Sequence, residues 1–331
     1  MNIKPGEKIN RPATDGFPEL YHFFSELDIH AVEAALAAQR PLLVQGEPGI
    51  GKSQLARAAA VVLGRAYVQF VVDSRTESSD LLWHYDAVSR LAEAQLKGAL
   101  GKGISREEVH RDLAMRNFVH PRPLWWALNW NSAKEQAATH QRTPPRQADG
   151  CDPNNGCVVL IDEIDKAESD VPNGLLEALG MGSFLPPGWE EPVRRTGNPP
   201  LVIITTNEER VLPPAFVRRC LVLHMRLPTE ENHLKQHLID RARAHFNTID
   251  QKILDSAADL LIQDRREAEE ARWRPLPGQA EFLDLLRAVR EMAPGKPTEQ
   301  KALLERVARF TVSKHPDAKR NQPSGSAGQN K

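Results

Sequence analysis

Between Gly46 and Ser53 the chain reads GEPGIGKS, the spacing G-x-x-x-x-G-K-[ST], directly after the apolar run 41–45. Glycines at 46, 49 and 51 let successive backbone N–H groups turn toward phosphate oxygens, a conformation that a Cβ would obstruct. Lys52 can then reach the β and γ phosphates of a nucleotide, and the Ser53 hydroxyl can ligate Mg²⁺. The residues that follow place Leu55, Ala58, Ala59, Val62 and Leu63 on one helical face. The positive end of that helix points at the same anion. Gly46, Glu47, Pro48, Gly49, Ile50, Gly51, Lys52, Ser53 and Gln54 are therefore the candidate nucleotide-binding residues.

What is done with the nucleotide depends on two further sites. The apolar run 157–161 ends in Asp162-Glu163, and a carboxylate directly after a buried strand is costly unless it has a task. Asp162 is placed to hold Mg²⁺ through its water shell, and Glu163 to orient and deprotonate the water that attacks the γ phosphate. The alternative is that both cap the next helix. Another run, 201–205, leads into Thr206 and Asn207. An uncharged amide there can hydrogen-bond the attacking water and the γ phosphate without adding charge, although asparagine is also common as a turn residue. Together these residues point to hydrolysis rather than binding alone.

The elements that must position these groups follow from hydrophobic patterning. Runs 41–45, 66–72, 157–161 and 201–205 read as strands, and 28–39 as a helix with Asp28 as its cap. Strands alternating with helices predict a parallel sheet covered on both faces, with ligands at the carboxyl ends of its strands. The connection 74–156 is far longer than an ordinary loop and must hold structure of its own. It reads as a helix over 86–99, a tryptophan-rich helix over 123–130 and a polar loop or flexible linker over 131–156. Beyond 229 the pattern is purely helical, over 230–246, 249–267, 279–291 and 298–312. The predicted fold is α/β, a P-loop-type parallel sheet flanked by helices, followed by a small all-α lid domain. Its divisions are an extension at 1–27, the α/β domain at 28–228, the lid at 229–314 and a disordered tail at 315–331.

Composition narrows the function. Forty-three basic residues nearly balance 44 acidic ones over 331 residues, which argues against a surface devoted to nucleic acid or anionic lipid. Neither a signal sequence nor an apolar run of about eighteen residues is present, which predicts a soluble, cytoplasmic protein with no membrane contact. The three cysteines, at 151, 157 and 220, form no C-x-x-C pair and read as reduced thiols. Trp125, Trp126 and Trp130 lack interleaved basic residues, which favours core packing over base stacking. His233 and His237 have metal-ligand spacing but no third ligand nearby, and read as exposed helix histidines.

The motifs GEPGIGKS, VVLIDEIDKA, LVIITTNEER and LPPAFVRRC, in that order, resemble those of the AAA+ ATPases, and specifically the MoxR family within the helix-2-insert clade. The resemblance is close over 42–228 and looser behind it. It implies ATP and Mg²⁺, with Walker A at the glycine-rich loop, Walker B ending at Asp162 and Glu163, and sensor 1 at Asn207. It also implies an arginine reaching the neighbouring subunit's nucleotide, which is Arg219 with Arg218 as its rival. Adjacent helical residues point about 100° apart, so one of them fills the role. In the segment RWRPLPGQAEFLDLLRAV, similar to a family lid segment, Arg274 fits a γ-phosphate sensor, with Arg272 as the alternative. The stretch 182–197 should form a hairpin turning at Pro186-Pro187-Gly188, though an ordinary connecting hairpin would look the same. The segment 74–156 exceeds the family's usual length and is where partner specificity is expected. The resemblance implies a homo-oligomeric ring, a hexamer, that hydrolyses ATP to remodel or activate a partner protein, of which one with a von Willebrand factor A domain is the expected kind. The rival readings are a nucleic-acid-associated AAA+ motor or restriction-type GTPase, weakened by the near-zero net charge, and a non-hydrolysing scaffold, disfavoured by Glu163, Asn207 and the arginine pair.

Overall fold

Five parallel strands carry the site. In the computed structural model, which describes residues 1, 3–11, 19–100, 105–246, 248–315 and 318, they are β1 (Leu42–Gln45), β2 (Arg65–Val71), β3 (Asp152–Asp162), β4 (Leu201–Thr206) and β5 (Leu221–His224). Their spatial order is β5-β1-β4-β3-β2, all parallel. All six residues of β4 are buried, as expected of a central strand covered on both faces. Register levels the carboxyl ends: Thr206 lies opposite Gln45, Ile204 opposite Ile161, and Val71 opposite Asp162. The polar residues that follow the apolar runs therefore share one edge of the sheet.

The fifth strand was not anticipated. Four residues, LVLH, with Val222 and His224 exposed, give too short and mixed a pattern to stand out from a loop. Two other expectations need correction. The loop read over 131–156 is confined to 139–151: a helix runs over Trp130–Ala138, capped by the Asn129 side chain accepting from the Ser132 N–H at 3.0 Å, and β3 starts at Asp152. That helix buries only Ala133, Gln136 and Ala137. Its polar majority hid the helical period, and Gln136 Nε2 donates to the carbonyls of Arg116 and Val119 at 2.7 and 2.8 Å. The first helix, α1 (Glu26–Ala38), starts earlier than read. Ser25 is its N-cap, and Asp28 is the third residue of a reciprocal capping box with it.

Contacts divide the chain into two compact units, Met1–Gln45 with Lys52–His224, and Gly46–Gly51 with Met225–Lys331. In the first, a ribbon of Lys8–Arg11 and Leu20–Phe23 occupies the stretch read as an extension, and α2 (Lys52–Leu63) packs its alanines and Leu55 inward. The long connection folds as a ribbon, Trp83–Tyr85 with Val119–Pro121, and helices at Ala87–Leu100, Arg106–Asp112 and Pro123–Leu128. Trp125 is fully buried against Phe184 and Trp189, with its indole N–H donating to Ser132 Oγ at 3.2 Å. The expected hairpin pairs Ser183–Phe184 with Val193–Arg194. At Gly188, φ is +84° and a Cβ would lie 2.9 Å from Met115 Cβ and the Arg116 nitrogen.

The second unit contains helices Glu231–His245, Gln251–Glu270, Gln279–Met292 and Pro297–Thr311. Each turns one apolar stripe into a shared core, with Leu238, Leu261, Phe282 and Ala308 fully buried. The tail read over 315–331 lies outside the described residues except for His315 and Ala318. Among the described residues no helix is long and apolar enough to cross a membrane.

Candidate active site

In the first unit, the ends of β3 and β4 and the start of α2 bring five of the sequence-predicted residues together. Ser53 Oγ donates toward Asp162, 2.9 and 3.0 Å from its two carboxylate oxygens. Lys52 Nζ donates to Asn207 Oδ1 at 2.8 Å, and Asn207 Nδ2 lies 3.4 Å from Glu163 Oε1. Lys52, the candidate sensor Asn207 and the candidate base Glu163 thus form one hydrogen-bonded series.

Three further residues of this cluster lie within the quoted motifs but were given no role from sequence. Thr205 Oγ1 donates to Asp162 Oδ1 and accepts the Glu163 N–H at 3.0 Å, so one hydroxyl fixes the Asp162 carboxylate and the Glu163 backbone. Lys166 Nζ holds Glu163 Oε2 at 2.5 Å, which raises the lysine's own pKa. Asp165 is buried and accepts the Glu209 N–H at 3.0 Å, while its Oδ1 has no hydrogen-bond partner among the described residues. Glu163 itself sits at φ +62°, ψ +46°, a left-handed conformation that costs a non-glycine residue roughly 1–2 kcal/mol. That backbone turn aims its carboxylate away from the strand direction and toward Asn207.

Electrostatics follow from this crowding. Burial pulls the Lys52 ammonium below the ordinary lysine range, and the carboxylates of Asp162, Asp165, Glu163 and Glu208 oppose that shift. A buried cation at this point is favoured further by any added negative charge, which is what a phosphate brings.

The loop Gly46–Gly51 belongs to the second unit, so the chain does not divide cleanly near 228. Close packing explains this. A Cβ on Gly46 would lie 2.3 Å from the Met225 carbonyl oxygen, and one on Gly49 2.5 Å from Ala280 Cβ. Ile50 is buried among the helices. Glu47 receives a two-pronged contact from Arg265, Nη1 to Oε2 at 2.9 Å and Nη2 to Oε1 at 2.8 Å, and Arg265 also donates to the Pro277 carbonyl. Arg265, on the helix Gln251–Glu270, therefore grips the loop. Arg274 is exposed and donates to the Trp273 carbonyl, and Arg272 is exposed at φ +57°. Of the two histidines, His233 meets Glu230 at 2.9 Å and His237 meets Gln279 at 3.1 Å; His237 is half-buried rather than exposed.

Arg218 and Arg219 follow the short helix Pro214–Val217 and are exposed. Their backbone is pinned by Arg40, just beyond α1. Its guanidinium donates to the carbonyls of Arg218, Arg219 (3.0 Å) and Cys220 (3.4 Å). One planar donor fork thus satisfies three successive carbonyls, a role that a lone arginine at a helix end does not advertise in sequence.

The donor set suits the groups it would hold. Ser53 and Asp162 offer hard oxygen ligands of the kind Mg²⁺ takes, and the glycines at φ +157°, +76° and +103° leave a backbone cradle of the type that binds phosphates.

Residues 41–242 match the family model described as the AAA domain of the dynein-related subfamily. A 51-residue stretch, 15% of the chain, is 43% identical to part of midasin from Giardia intestinalis, of which it spans 1%. Among solved structures, a candidate ATPase from Cytophaga hutchinsonii is similar at 14% identity and a TM-score of 0.36, over 84% of this chain and 78% of that one. PCH-2 from C. elegans is similar at 16% identity and a TM-score of 0.40, over 86% of this chain and 65% of its own.

Proposed function

This chain belongs to the AAA domain family, in its dynein-related subfamily, and on that premise we propose that it hydrolyses ATP, with Mg²⁺, in an oligomeric ring of MoxR type that remodels or activates a partner protein. The observation that carries the proposal is the series Lys52–Asn207–Glu163, which joins a phosphate-binding cation, a polar sensor and a general base within hydrogen-bonding reach.

Ser53 and Asp162 would hold Mg²⁺, which would supply neutralisation of the charge that develops on the phosphates. The chain's own residues do the rest. The loop amides and Lys52 bind the phosphates, and Asn207 leaves Lys52 to position the attacking water and the γ phosphate. Glu163, with Lys166 steering its carboxylate, accepts the water's proton as the new P–O bond forms and the bond to the ADP oxygen breaks. Arg219, with Arg218 as its rival, reaches a neighbouring copy's γ phosphate, and Arg40 positions that arginine's backbone. A trans arginine of this kind is worth about 10³–10⁵ in rate. Arg274 or Arg272 couples nucleotide state to the lid. The partner protein, with a von Willebrand factor A domain as the first candidate, docks on the 74–156 segment.

Two measurements test this. Glu163→Gln should bind ATP with unchanged affinity yet hydrolyse it ~10²–10⁴-fold more slowly, the usual worth of a general base. Arg219→Ala should be similarly inactive alone, but mixing it with Glu163→Gln should recover activity, since the mixed interfaces pair an intact base with an intact arginine. Full turnover by either variant alone would refute the assignment, and a mixture as inactive as its parts would refute the shared site.

A further inference from the structure

Two cavities of the first unit share no lining residue, and each contains one piece of the proposed hydrolytic apparatus. The first, about 460 Å³, opens beside Ser53 and Asp162 and is walled by Arg57, Arg122 and Arg146. Arg122 stands over the Phe70 ring at 5.6 Å, and its Nε is buried with no hydrogen-bond partner among the described residues. Arg146 is exposed. The second, about 880 Å³, contains Arg219 and is walled by Asp170, Asn173, Gly174 and Glu177. Those four lie at i, i+3, i+4 and i+7 of the helix Asp170–Met181 and so share one face. Its two carboxylates are both exposed.

From this arrangement we propose that the acidic face of helix Asp170–Met181 in one copy docks on the arginine wall, Arg57, Arg122 and Arg146, of the next. The inference rests on the shared-site reading above. If Arg219 acts on a phosphate held at another copy's Ser53 and Asp162, the wall of its own cavity must travel with it to the mouth of the other. The guanidinium of Arg40 is engaged by the Arg218–Cys220 carbonyls and Arg219 is directed at phosphate, so the charges left to meet the arginine wall are Asp170 and Glu177. Opposite charges then surround the seam, which sets the register of the two copies and places the finger.

The test exchanges the charges. One variant carries Asp170→Lys and Glu177→Lys, the other Arg122→Glu and Arg146→Glu. Each alone sets like charges against each other at every interface and should lose ring assembly, by light scattering, and more than ~10-fold of ATPase activity. Mixed in equal amounts, the two can alternate so that every interface is either native or fully exchanged, and assembly and activity should return. Arg146→Glu alone, at an exposed position, should give a smaller loss in the same direction, and thermal melting near wild type verifies folding. Activity of either double variant alone, or a folded mixture that stays inactive, overturns the docking. If the mixture of Arg219→Ala with Glu163→Gln recovers while this one does not, the shared site stands and only the pairing of these faces falls. If neither recovers, both fall.

Discussion

Two regions of the first unit bury ionisable groups and meet the cost in opposite ways. At the sheet edge, Lys52 is buried among Asp162, Glu163 and Asp165, where each charge finds a hydrogen-bonded or coulombic counterpart. In the long connection, His120 is equally buried, 4.2 Å from the His140 ring and 6.3 Å from that of His84. Its nearest carboxylate oxygen, on Asp86, is 3.9 Å away, and that carboxylate is engaged by the backbone and hydroxyl of Ser89. Burial therefore drives His120 down to about 4, helped by His140 and Arg142 and opposed only by Asp86. One region keeps its charges because each has a counterpart; the other discards them to complete a core.

The largest way to break this contrast is Thr205→Val, which keeps the shape of the strand but leaves the Asp162 carboxylate and the Glu163 N–H without their shared partner. The expected loss is ~1–3 kcal/mol of stability in urea titration and ~10–100-fold in ATP turnover. Wild-type turnover would show that the hydroxyl is incidental. A second test uses acid. Because the folded His120 pKa lies below its unfolded value of about 6.5, the unfolded chain takes up a proton first as pH falls. Stability should be full above about pH 6.5 and decline toward pH 4, by at most about 3 kcal/mol from this group. His120→Gln should flatten that slope in thermal melts, and an unchanged slope would reassign it to other groups. The smallest effect is expected from Lys52→Met without nucleotide. Burial makes the ammonium a net cost to the folded state below its depressed pKa, so its removal should raise the melting temperature slightly while abolishing the further rise that ATP gives the wild type. A lower melting temperature would mean that the surrounding carboxylates outweigh burial.

Much of the site was legible because its parts are local. The spacing from Gly46 to Ser53 and the acidic pair at the end of β3 are short strings whose reading needs only a strand before them, and each is preceded by an apolar run, 42–44 and 157–161. The fold was legible wherever such runs were long. It failed at β5, whose four residues alternate between burial and exposure, and at the helix Trp130–Ala138, whose three inward residues are two alanines and a glutamine. Arg265 and Arg40 stayed hidden for a different reason. Nothing near either in sequence marks it, since the groups they hold lie 218 and about 180 residues away.

By itself, then, the sequence determined the chemical inventory and the order of strand, loop and helix around it, because those depend on spacing over a few residues and on hydrophobic period. Only the tertiary structure decided which of these groups meet. Ser53 reaches Asp162 across 109 residues and Lys52 reaches Asn207 across 155, and the order of parallel strands, which no local pattern encodes, is what brings their ends to one edge.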